Sequence, residues 1–271
     1  MAIATPSLIT SGNSAAGTTA TTASVTLTAG RLYLLGITGR RGDSTNVPAP
    51  DSVVRGAQSF TIVDATAGLQ QYDNSSSSRR ALWVGYCVPA SDTTGTIVAT
   101  WSASLSRKQW ALVEVASGFD SGTPIQQVAG NLDASELSAT SLTATFGAAI
   151  SSGGAVVGFF GDAGAGGITP GDDYTELVEV QTAAELDLSA SYDLTPDTTF
   201  TCTFTAGEAV GAVAVEIKEA AAAGGQPTQK RAGGVPWMGQ HGAGFPSAIQ
   251  RWIRRESGLQ VPAYYRERRA A

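Results

Sequence analysis

Few residues in this sequence have the types and spacing that catalysis requires. The single histidine, His241, stands in a glycine-rich stretch, GQHGAG, with no nucleophile near it in sequence, and reads as a loop residue. The patterns GxSxG, HExxH and the phosphate-binding loop do not occur. Glu114 and Glu216 hold matching places in two similar segments, ALVEV and AVAVEI. A glycosidase would use two such carboxylates; the plainer reading is two polar positions on matching strands. Asp162, Asp172 and Asp173 flank a glycine-rich stretch. Their oxygens suit Ca²⁺, but their spacing matches no EF-hand. Arg41-Gly42-Asp43, an integrin-type tripeptide, falls in a polar loop. Cys87 and Cys202 lie far apart and, with one histidine, make no zinc set, so they read as buried free thiols. The expectation is a non-enzyme with no catalytic residues, no cofactor and no metal.

The C-terminal tail is more informative. Residues 226–271 carry a net charge of +6, whereas the whole chain is at −6, which leaves −12 on residues 1–225. Pro246 can open a short helix over Ser247–Ser257, with Gly258 as its stop. In that helix Ile249, Trp252 and Ile253 share a face, and Arg251, Arg254 and Arg255 cover the rest. Trp237, Phe245, Tyr264 and Tyr265 add apolar anchors. A helix this short does not hold itself together in water, so its apolar face needs a partner. Aromatic residues mixed with arginine are the composition of protein–protein hot spots. The tail is therefore expected to dock onto another protein, and packing on its own acidic body is the competing reading. An acidic body repels phosphate, so neither nucleic acid nor an anionic membrane is an expected partner.

The elements that position these groups are strands. Charged residues are only 15% of the chain, and Gly, Ser, Thr and Val are abundant, as in short strands joined by tight turns. No apolar run is long enough to span a bilayer, and the first residues lack the basic and apolar regions of a signal peptide. Residues 1–23 read as a loose arm. Strand patterns follow through residues 24–220, with buried-type apolar runs at Leu32–Thr38 and Ala155–Phe160 and a closing strand at Val210–Ile217. Pieces recur: SFTIV at 59–63 matches DYTEL at 173–177, and ALVEV matches AVAVEI. This predicts pseudo-repeats over about residues 24–117 and 141–217, with 119–137 as the crossing between them. With no helical pattern between strands, the predicted fold is all-β: an antiparallel, jelly-roll-like β-sandwich. One large sandwich is preferred to two small ones. Residues 221–236 read as a linker, and 237–271 as an extended docking tail with one short helix. Trp83, Trp101 and Trp110 are the candidates for a carbohydrate platform, but Trp101 and Trp110 sit on strands beside apolar neighbours, so core packing is the better reading.

Residues 25–217 also carry a familiar pattern. A TAG turn (Thr28-Ala29-Gly30) leads into RLYLLGI. The aromatic stretch ALWVGYCVPASDTTGTIVATWS follows, then WALVEVASGFDSGTPIQQ at 110–127, and AVAVEI closes the body. In this the chain resembles β-sandwich structural proteins of tailed-bacteriophage virions and prophage regions. The resemblance implies a capsid decoration, head-fibre, tail or baseplate component, made in the host cytoplasm and built into the virion. It implies a homo-oligomer whose partners are other virion proteins of the capsid, portal or tail. It transfers no active-site residue. The alternative is a tail or baseplate adhesin, a module that recognises host-surface glycans.

Overall fold

Continuous apolar runs become the central strands, and the computed structural model shows why. It describes residues 2–221 except 65, 74–77, 134–139, 165–166, 172, 183–185 and 205–208. The chain divides into two units, Met1–Gly224 and Gly225–Ala271. The docking tail and its expected helix lie outside the described residues.

The first half holds β1 (Ser7–Ser14), β2 (Gly17–Thr21), β3 (Val25–Leu27), β4 (Leu32–Arg41), β5 (Ser52–Arg55), β6 (Gln58–Ser59), β7 (Thr61–Ile62), β8 (Leu69–Asp73), β9 (Arg79–Cys87), β10 (Thr93–Gly95), β11 (Val98–Leu105) and β12 (Arg107–Val115). The second holds β13 (Ile125–Asp133), β14 (Ser141–Thr145), β15 (Ala155–Asp162), β16 (Thr169–Pro170), β17 (Thr175–Thr182), β18 (Leu186–Asp193), β19 (Thr199–Thr203) and β20 (Val210–Ile217). The fold is all-β, and the named strand pairs are antiparallel.

The large sheet of the first half runs β1-β12-β4-β9-β7, with β8 also on β9; that of the second runs β13-β20-β15-β18-β17. The two orders are the same path. Register aligns them residue by residue. Glu114 pairs with Tyr33 and Glu216 with Val156; Tyr33 then pairs with Cys87 and Val156 with Asp193. Smaller sheets cover the outer faces: β2-β11-β5-β6 and β10-β3 in the first half, β14-β19-β16 in the second.

Within the unit Met1–Gly224 the architecture is thus two sheet pairs, each a small sandwich. They stack through their large sheets, giving four layers and three cores. Leu34, Val113, Phe159 and Val213 belong to the central core, Leu35, Trp83 and Leu112 to the first outer core, and Val156, Phe160 and Ala214 to the second. A strand in a middle layer has no solvent face, so β4, β15 and β20 are apolar at both parities. Each wholly buried Leu, Val or Phe contributes about 1.5–3 kcal/mol. β1 packs beside β17 and β13 beside β8, while β12 meets β18 and β20 meets β9. Exchanging the halves converts each contact into its mate, so a pseudo-two-fold axis relates the sandwiches. Near that axis the Phe159 ring lies on Gly36, its register counterpart, where an added Cβ would fall 2.3 Å from the ring. Tyr72 lies in the same way on Gly161 and Gly211, with its hydroxyl 2.7 Å from the Thr38 hydroxyl.

Two segments depart from the sequence reading. Residues 1–23 are not a loose arm, because β1 pairs with β12 and β2 with β11. Residues 119–137 contain β13, paired with β20. Both large-sheet strands are edges rich in Ser, Thr, Asn or Gln, so the first half begins two strands earlier than its apolar pattern suggests and the second half one strand earlier.

Lys108, on β12, is wholly buried and donates to the Gly17 carbonyl at 2.9 Å. Burial lowers its pKa. The penalty of the buried charge is full below the folded-state pKa, and is relieved as pH rises from there toward the unfolded value of about 10.4. Lys108→Met is expected to leave stability unchanged or raise it by about 1 kcal/mol at neutral pH. The advantage should shrink toward pH 10, which denaturant titrations at both pH values will check.

Candidate functional site

The matching glutamates are buried ties. Glu114 accepts from Arg31 Nη1 at 2.6 Å and from the Tyr33 hydroxyl at 2.6 Å, and that hydroxyl accepts from the Thr28 amide at 2.7 Å. Glu216, wholly buried, accepts from the Ser151 amide at 2.7 Å and from Gln127 Nε2 at 2.5 Å. Each one fastens the turn that precedes β4 or β15 to the closing strand of its half. A glycosidase needs two solvent-facing carboxylates beside one substrate. These two are enclosed in different sandwiches and engaged by hydrogen bonds, so they do not form such a pair.

Arg41-Gly42-Asp43 is folded on itself, with Arg41 Nε and Nη2 on the Asp43 carboxylate at 3.0 and 2.7 Å. The Arg41 guanidinium holds the Asp43 carboxyl below its usual range. Trp83, Trp101 and Trp110 are buried in the first outer core and present no carbohydrate platform. Asp162 is buried, Asp173 is exposed, and Asp172 lies outside the described residues. Among the described residues no three acidic, histidine or cysteine side chains gather as metal ligands. Both cysteines are buried free thiols, each pushed up to about 12 by burial. A thiol reagent such as DTNB should therefore react with neither in the native protein and with both once the chain unfolds in denaturant.

His241 and the docking residues Trp237, Phe245, Ile249, Arg251, Trp252, Ile253, Arg254, Arg255, Tyr264 and Tyr265 lie outside the described residues.

The second sandwich holds a polar cleft of about 230 Å³, lined by Gly171, Asp173, Tyr174, Asp193, Asp197, Thr199 and Thr201. Three segments meet there: the loop before β17, the end of β18 with its following turn, and β19. Phe200 anchors the wall. Its ring stacks on Phe160 at 4.2 Å and meets Tyr174 edge-on at 4.8 Å. Gly158 lies under Phe200 so closely that a Cβ would fall 1.8 Å from the ring. The Tyr174 hydroxyl donates to the Thr199 carbonyl at 3.1 Å. Asp193 Oδ1 accepts from the Thr195 amide at 2.8 Å, and Asp197 Oδ1 from the Thr199 amide at 2.6 Å. Burial raises the Tyr174 phenol, and Asp193, Asp197 and Asp173 push the same way. A region of negative potential beside an aromatic ring results, suited to a small cationic or hydrogen-bond-donating group. Sequence reasoning missed it because the acids are isolated in sequence and only strand pairing collects them. The repeat offered a signal, since Asp193 stands where the first half has Cys87.

A second cleft, of about 300 Å³, lies between Val63, Asp64 and Tyr86 of the first half and residues 122–128. Its one carboxylate, Asp64, already caps the Thr66 and Ala67 amides.

No protein-family model, curated protein or solved structure matches this chain.

Proposed function

We propose that this chain is a non-enzymatic structural protein of a tailed-phage virion, a capsid decoration or accessory component that docks onto other virion proteins through its C-terminal tail. The observation that carries the reading is the division of labour along the sequence. Residues 1–225 are acidic, and among the described residues only Ile9, Leu132 and Leu194 are large apolar side chains left exposed. Residues 226–271 are basic and hold Trp237, Phe245, Ile249, Trp252, Ile253, Tyr264 and Tyr265. The all-β body and the segment resemblance at 25–217 support the same reading. The jelly-roll-like body is a rigid unit carried by the tail, in many copies and as a homo-oligomer, assembled from the host cytoplasm onto the particle. Aromatic anchors would supply most of the affinity, and arginines the steering.

Deletion of 226–271 tests this in the assembling phage. The shortened chain is expected to remain folded, with an unchanged β circular-dichroism spectrum, and to be missing from purified particles. Incorporation of the shortened chain at normal copy number would overturn the reading.

A further inference from the structure

The two halves share strand order and register, so each is a template for the other, and they differ at the acidic cleft. On the outer face of β9, Ala81, Trp83 and Cys87 fill the first outer core. At the matching positions β18 carries Asp187, Ser189 and Asp193, and Ser191 is the counterpart of Gly85. All four are buried, and among the described residues the hydroxyls of Ser189 and Ser191 have no hydrogen-bond partner. An apolar corner in one half is thus a polar one in the other.

The first half keeps a buried arginine near that corner. Arg55 ends β5, which pairs with β11 as β16 pairs with β19. It is only 4% exposed, and its guanidinium acts electrostatically on Cys87, the counterpart of Asp193. In the second half the corner is open, and Asp193 reaches it. Asp193 is 6% exposed and lines the cleft, and both of its hydrogen bonds fall on Oδ1. Among the described residues, nothing donates to its Oδ2. Asp197 likewise receives Thr199 through Oδ1 alone.

We propose that this cleft binds a guanidinium group, the side chain of an arginine presented by a protein partner. Asp193 Oδ2, Asp197 Oδ2, Asp173 and the Thr201 hydroxyl are the acceptors, and the Tyr174 ring is the aromatic neighbour. The chemistry selects this ligand in three steps. Three carboxylates around one small cleft favour a positive charge over a neutral sugar. They do not converge as ligands for a single metal ion. Acceptors spread around a cleft match the planar, five-donor fork of arginine better than the compact ammonium of lysine, and guanidinium also pairs with an aromatic ring. The site lies on the body and does not depend on the tail-docking reading.

The test is calorimetric titration of the full chain with N-acetyl-arginine amide. N-acetyl-citrulline amide serves as the neutral isostere, and the lysine amide, calcium chloride and methyl glucoside as competitors. The arginine compound is expected to bind with a Kd of about 1 mM, typical of a single side chain, and the citrulline compound not to bind. Asp173→Asn should weaken binding about tenfold, and Asp193→Asn by at least as much. Asp173 is exposed and makes no hydrogen bond among the described residues, so its variant separates loss of the site from loss of fold. Equal binding of citrulline, unchanged binding by the Asp173→Asn protein, no arginine binding at all, or binding of calcium or glucoside in its place would each overturn the proposal.

Discussion

Gly36→Val should lower the melting temperature by roughly 5–10 °C, through overpacking of about 2–3 kcal/mol in a protein of this size. The cause is local and geometric. Gly36 lies on β4, in a middle layer, and the Phe159 ring of the other half fills the space where its side chain would go. A Cβ 2.3 Å from ring carbon is not accommodated by a rotamer change at Gly36, so the ring or the sheet must move. Phe159 is itself wholly buried in the central core, which restricts its escape. Pairing Gly36→Val with Phe159→Leu should recover part of the loss, and the coupling in a double-mutant cycle should reach about 1 kcal/mol or more. A Gly36→Val protein that melts with the wild type, or a pair that is purely additive, would mean that the two large sheets do not meet at this point.

Removal of the Glu216 carboxylate should cost about 2–4 kcal/mol, because two charge-assisted hydrogen bonds disappear from a buried position. Its donors, the Ser151 amide and Gln127, hold the turn before β15 and the edge strand β13. Gln127 also bridges to Ala148 through both ends of its amide, at 3.1 and 3.2 Å, so the Glu216→Ala defect should spread into that turn. Hydrogen exchange should therefore quicken first in residues 125–128 and 147–152. Glu114→Ala is expected to cost less, about 1–2 kcal/mol. The Arg31 side chain is 40% exposed and can be rehydrated, which leaves mainly the Tyr33 hydroxyl without its acceptor. Chemical denaturation of the two variants side by side checks the order. A Glu216→Ala protein within 0.5 kcal/mol of wild type, the range usual for surface changes, would show the carboxylate to be dispensable.

The sequence announced its central strands and concealed its edges, for one physical reason. In Leu32–Thr38, Ala155–Phe160 and Val210–Ile217, residues of both parities are apolar because both faces are covered. That doubled pattern was also the sign of a stack of layers, although it does not by itself separate one large sandwich from two. Strands β1 and β13 are held largely by backbone pairing at the rims. Their side chains alternate between half-buried and exposed, so Ser, Thr, Asn and Gln serve there and no apolar period marks them. The match between Glu114 and Glu216 was legible as a repeat. Their role was not, because Arg31, Ser151 and Gln127 reach them only through folding. The cleft was hidden for the same cause. Asp173, Asp193 and Asp197 are ordinary turn and strand-end residues until β18 and β19 bring them together around Tyr174.

The proposed docking by the tail is tested most directly by cosedimentation of the full chain, a 1–225 truncation and a Trp252→Ala variant with purified particles lacking the protein, across a salt series. Binding by the full chain alone, reduced in the Trp252→Ala variant and weakened further as salt screens the arginines, is the expected result. Equal, salt-insensitive binding by the truncation would contradict it and place the interface on the sandwiches.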